Sequence, residues 1–250
     1  RDGSGNPSGE YPAGSGVEHL FESGIWFGGL INGSTVAVST AAVDAPQGYS
    51  TGSAGFEFYP EPGATLKEIS SLRNSPYYNT LAVSHQDFVA TFSDKNVKVP
   101  GTNTQIGSHL DPLFVKVTAK SYNWNYSFSD FFVILDYELE NIGANTIDSA
   151  FFGLWANTVV RNINVTPAGS GGAAFYNKGG NGYFDSLQMA YCYDNAGDVG
   201  FTDSYVGQKF LGAEDKNGFH HPNNASSFKA NYNAWQFNST TDPIYFQPTN

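Results

Sequence analysis

The side chains with the most chemical promise form an acidic cluster, Asp194-Asn195-Ala196-Gly197-Asp198, followed by Asp203. Hard oxygen donors at short spacing around a Gly turn suit Ca²⁺, which takes about six to eight oxygen ligands from flexible loops. The pattern is not an EF-hand, because the Gly stands fourth and the bidentate Glu is missing. Asp194, Asn195, Asp198 and Asp203 are therefore the candidate metal ligands and calcium the candidate cofactor. An Asx-type turn built from the same residues is the competing reading. Asp136, Glu138 and Glu140 recur at every second residue, a spacing from which a glycosidase could draw two carboxylates. The solvated outer face of a strand gives the same pattern more simply. His19, His85, His109, His220 and His221 show no metal-binding spacing and read as core-satisfied or solvated. Cys192 is the only cysteine, so no internal disulfide can form, and no base stands near it in sequence to stabilise a thiolate. No Gly-x-Ser-x-Gly elbow occurs. Trp124, Tyr126, Tyr232 and Trp235 remain as candidate glycan contacts, since aromatic faces stack on sugar rings.

The elements that must position these residues are strands. Asn32-Gly33 separates two β-rich runs, residues 25–31 and 34–39, and supplies the two positive-φ positions of a type I′ turn. Further strands read at residues 56–59, 87–92, 113–120, 131–140 and 150–160. In the fourth of these, Phe131, Val133, Leu135, Tyr137 and Leu139 share a face opposite the acidic triplet. Burial is expected for Trp26, Val117, Val133, Leu135, Tyr137 and Trp155, with Asp136 and Glu138 in solvent. Residues 64–73 are the best helical stretch, and residues 169–182 read as a long Gly-rich loop. Strand-sized runs without intervening helices predict an all-β fold, an antiparallel β-sandwich with long Gly/Asn-rich loops. An extended segment, residues 1–16, precedes one domain, residues 17–250.

Composition narrows the function classes. The 250 residues carry 12 basic and 23 acidic side chains, a net charge of −11, which argues against nucleic acid and anionic membranes. No apolar run is long enough to insert in a bilayer as a helix. The 23 Asn and 24 Ser, with scarce Lys and Glu, suggest an exported protein, extracellular or at the cell surface. No leader-like segment opens the sequence, so an exported chain is expected here in mature form.

Four ordered stretches carry a family resemblance. They are His19 to Gly29, Ser84 to Asp94, Pro112 to Gly143, and a late stretch with Met189-Ala190-Tyr191, Asp194 to Asp198 and Ser204 to Gly207. Together they resemble the N-terminal region of large exported bacterial surface proteins, those marked by a C-terminal sorting domain for type IX secretion. No sorting domain is found in this sequence. The resemblance implies export and a surface location rather than an activity. It also implies O-glycosylation at Asp-Ser/Thr-apolar sites, which Ser149 and Ser186 fit; the alternative at each is an ordinary turn.

Two readings from different classes follow, with a secreted hydrolase as a third and weaker one. The first is a non-catalytic structural protein, a subunit of a surface layer or filament. The second is a secreted glycan-binding, adhesive module. Residues 1–16 hold five Gly, two Pro and three Ser but one aromatic, Tyr11, too little apolar surface to order themselves. Backbone pairing with a sheet edge is what could order them, either on their own subunit or on a neighbour's, the latter giving a homo-polymer.

Overall fold

The structure, a computed structural model, describes residues 9–42, 55–107, 109–165, 179–195, 201–222, 230–234 and 245–246. Asn32 and Gly33 take φ of 49° and 71°, the two left-handed residues the sequence asks for. They join β1 (Val17–Ile31) to β2 (Thr35–Thr40). The ladder pairs Ile31 with Thr35, so Ser34 is a third loop residue.

The described residues form two compact units. One takes the described residues up to Glu22 and from Ala156 onward; the other takes those from Ser23 to Trp155. The second unit holds β3 (Tyr59–Pro60), β4 (Lys67–Ile69), β5 (Gln86–Ser93), β6 (Val115–Asn123) and β7 (Ile134–Asn141). They form one sheet in the order β3-β5-β6-β7, with β4 also on β5. A separate sheet, β2-β1-β8, uses β8 (Ile147–Asn162). The fold is all-β as expected, and its sheets are built on antiparallel ladders such as β1–β2, β5–β6 and β6–β7. No helix stands at residues 64–73; Lys67, Glu68 and Ile69 pair with Val89, Phe88 and Asp87, so tertiary pairing overrides a weak local preference.

Side chains of both sheets meet in this unit's core. Ile25 and Phe27 from β1 join Phe58, Leu113, Val115 and Val117, and Phe92, Tyr137 and Ile147 pack around them. Asp136 and Glu138 face solvent as expected, and Lys116 and Lys120 bridge Glu140 and Glu138 at 2.7 and 3.6 Å. Such exposed pairs add little stability. Val133 and Leu135, expected inside, are 55% and 47% exposed. The reason is register. β7 edges its sheet, and Leu135 lies opposite Ser121, a small polar side chain that does not extend the core, whereas Tyr137 on the same strand packs against it. Trp26 and Trp155 are half-buried rather than central. They stack on each other at 6.4 Å, and the Trp26 indole N–H donates to the Ala42 carbonyl at 2.6 Å.

The first unit holds a sheet β11-β10-β9, from β9 (Gly179–Phe184), β10 (Met189–Asp194) and β11 (Tyr205–Lys209). Two short hairpins accompany it: β12 (Ala213–Asp215) with β13 (Gly218–His220), and β14 (Asn233–Ala234) with β15 (Tyr245–Phe246). The described end of the Gly-rich stretch read as a loop is thus a strand. Gly180 and Gly182 sit opposite Tyr193 and Tyr191, and a Cβ at either would lie 2.6–2.7 Å from those rings. Here glycine makes room for an aromatic neighbour instead of breaking the strand.

Candidate functional site

In the second unit the buried carboxylates Asp94, Asp87 and Glu57 are each occupied by hydrogen-bond donors. Asp94 is fully buried; its Oδ2 accepts from the Ser39 hydroxyl and the Leu113 amide, both at 2.8 Å, and its Oδ1 from the Val115 amide at 2.7 Å. The two amides flank Phe114, whose φ of 58° is strained for a bulky residue. Asp94 thereby staples a left-handed bulge at the start of β6. Asp87 accepts from the Val83 amide at 2.6 Å, the Ser84 amide at 2.9 Å and the Ser84 hydroxyl. Glu57 accepts from Thr40 and the Gly55 amide at 2.8 and 2.7 Å. Asp87 and Asp94 bracket the Ser84 to Asp94 stretch, and what they do there is hold loops. Carboxylates this committed are poor candidates for acid–base work, and the acidic triplet on β7 stands on an outer face.

His109 donates from Nε2 to the Asp94 carbonyl at 2.5 Å. His19 bridges two segments of the first unit. Its Nδ1 lies 3.3 Å from the Gly9 carbonyl and its Nε2 2.6 Å from the Ser204 hydroxyl. A carbonyl only accepts, so Nδ1 carries the hydrogen and Nε2 accepts from Ser204. The pair has the outline of an activated serine, but the Ser204 amide is turned onto the Thr202 carbonyl at 2.9 Å and offers nothing to a developing oxyanion. No spacing in the sequence announces this contact across 185 positions. Burial holds the His19 imidazole below its ordinary range, against the Gly9 bond, which raises it. The folded state thus binds fewer protons than the unfolded one near pH 6.5, so stability falls as pH drops from 7 through that value. In His19→Gln the pH dependence of the melting temperature between pH 7 and 5 should be flatter than in wild type. Parallel curves would remove His19 from the acid response.

Cys192 is buried and donates weakly to the Thr158 carbonyl at 3.4 Å, and burial pushes its thiol up, which makes it inert. Of the calcium candidates, Asp194 is buried and accepts the Thr202 amide on Oδ2 at 3.1 Å, whereas Asn195 and Asp203 are exposed. Asp198 lies outside the described residues. Among the described residues no three His, Cys, Asp or Glu side chains gather closely enough to hold a metal. Ser149 and Ser186 are both exposed, Ser186 in the turn between β9 and β10 and Ser149 on β8 with φ of 50°. Tyr232 stacks on Tyr183 at 5.3 Å and donates to Asn181 at 2.9 Å, and Trp235 lies outside the described residues.

The second unit leaves many apolar side chains in solvent, Leu66, Leu110 and Phe131 among them, and two groups of them gather into surfaces. At one end of its five-stranded sheet the β4–β5 and β6–β7 connections meet, with His85 edge-on to Tyr126 at 4.7 Å and the Asn125 amide donating to His85 Nδ1 at 3.1 Å. Tyr126 stacks on Phe128 at 5.3 Å, and Leu81 and Phe128 are 81% and 72% exposed. Trp124, beside them in sequence, is half-buried. The second surface is the outer face of β2-β1-β8, where Trp26, Leu30, Val36, Val38 and Phe151 wall a groove of about 460 Å³. Gly28 and Gly153 form its floor, and among the described residues no charged side chain lines it.

Neither the family models nor the curated proteins nor the solved structures compared with this chain give a match.

Proposed function

We propose that this chain is a non-catalytic, exported structural protein, one subunit of a cell-surface layer or filament of the type IX secretion kind. The observation that carries the reading is the pair of separate apolar surfaces on the second unit. Chains that act alone rarely expose contiguous apolar patches beyond a few hundred Å². Two different sticky surfaces on one body are what repeated association requires. Neutral-polar composition supports the extracellular location.

The N-terminal segment is the proposed link of the homo-polymer. Residues 9–11 already lie against β1 of their own chain, through Gly9 N to Leu20 O, His19 N to Gly9 O and Tyr11 N to Val17 O at 3.3, 2.8 and 3.0 Å. A neighbour's segment can make the same three bonds, so exchange between copies loses none of them. Electron microscopy of the full chain and of a chain lacking residues 1–16 tests this. Polymers from the first and folded single subunits from the second are expected; equal assembly from both would exclude the segment.

A second reading, glycan binding, is favoured by the exposed Tyr126–Phe128 stack beside Trp124 and Asn125. Retarded migration in polysaccharide gels that Tyr126→Ala abolishes would move the account to that reading. Calcium at Asp194, Asn195, Asp198 and Asp203, with a glycan at Ser186, completes the proposal; Ser149 lines the apolar groove and stays unmodified in it. Chelation should then lower the melting temperature of the metal-loaded protein, and an unchanged melt would leave the Asp194 loop as a turn.

A further inference from the structure

We infer that the outer face of β2-β1-β8 pairs with the same face of a second copy, across a two-fold axis, with Phe151 of each chain seated in the other's glycine-floored groove. The inference rests on the subunit reading above and names one of its contacts.

Shape comes first. Residues along β1 alternate between Ile25 and Phe27 in the core and Trp26, Gly28 and Leu30 on the far side. Val38 and Val36 lie beside Gly28 and Leu30 in register and are 49% and 74% exposed. Gly28 and Gly153 carry no side chain into the space between, so the backbone itself is the floor. Phe151, 72% exposed, stands at the rim of the same groove. A projecting ring and a cavity on one patch are self-complementary, which is the requirement of an isologous two-fold contact.

Charge then selects the occupant. A chain of net charge −11 repels its own copies wherever acidic side chains meet, as they would on the Asp136, Glu138 and Glu140 face. Among the described residues the groove lining has no charge and one hydroxyl, Ser149, so here that repulsion is least. The same scarcity of donors and acceptors counts against a sugar. Area is adequate for the centre of such a contact. Phe151, Val36 and Val38 together present on the order of 300 Å² of apolar surface, where a specific interface buries roughly 800 Å² per partner with a polar rim.

Cysteine trapping tests the pairing on unglycosylated full-length chain carrying Val36→Cys and Ser149→Cys, which leaves Phe151 and Val38 in place. Within one chain these positions lie on β2 and β8 with β1 between them, about 10 Å apart by strand spacing and too far for a disulfide. Oxidation should therefore give a closed covalent dimer that grows no further. A ladder of larger species, or no product from a wild type that does associate, would overturn the two-fold pairing and leave the subunit reading standing. A wild type that remains a single chain at every concentration would instead remove the subunit reading itself. As a second variant, Val38→Lys with Phe151→Lys should melt like wild type and weaken association at least tenfold; unweakened association would also overturn the pairing.

Discussion

Asp94→Ala should cost on the order of 4 kcal/mol or more, a large share of the stability of a typical domain. Removing the carboxylate leaves the Ser39 hydroxyl and the Leu113 and Val115 amides as buried donors without an acceptor, at about 1–3 kcal/mol each. The left-handed Phe114 also loses the carboxylate that grips the peptides on either side of it. Typical domains hold only about 5–15 kcal/mol in all. Asp94→Asn keeps one acceptor oxygen and should fall between wild type and alanine, whereas Ser39→Ala removes a single bond and should cost about 1 kcal/mol. Urea denaturation of the three variants gives the ranking. An alanine variant within 1 kcal/mol of wild type would mean the bulge holds itself.

Phe27→Ala should cost about 3–5 kcal/mol, while Phe151→Ala changes stability by less than about 0.5 kcal/mol. Phe27 is 9% exposed between Ile25, Phe58, Val115 and Val117, and its removal opens a cavity between two sheets. Phe151 is on a strand as well but stands in solvent at the groove rim. Denaturation midpoints with unchanged slopes measure both. Equal costs for the two phenylalanines would show that the face assigned to the core and the face assigned to association had been exchanged.

Much of this was legible in the order of residues, because period-two alternation and turn chemistry are local. Asn32-Gly33 marked its hairpin, and residues 87–92, 113–120 and 150–160 marked β5, β6 and β8. The acidic triplet marked the outer face of β7. Where reading failed, the deciding partner was far away in sequence. Val133 and Leu135 look like core residues until the register sets Leu135 against Ser121 at an edge. The glycines of β9 look like a loop until Tyr191 and Tyr193 lie over them. Asp94 reads as the end of a strand, and only the fold brings Ser39 and Leu113 to it. His19 and Ser204 give no hint of each other at all. The candidate site was half legible: Trp124 and Tyr126 do stand at an aromatic loop end. The groove was hidden, because its walls come from three strands and its floor from residues without side chains.

Association is the property on which the whole account turns. Sedimentation velocity of the full chain, from micromolar to near-millimolar protein and at low and physiological salt, measures it directly. The account predicts a mass that climbs above the 27.0 kDa of one chain as concentration rises, and more readily once salt screens the net charge. A sharp boundary at 27.0 kDa across the whole range would contradict it.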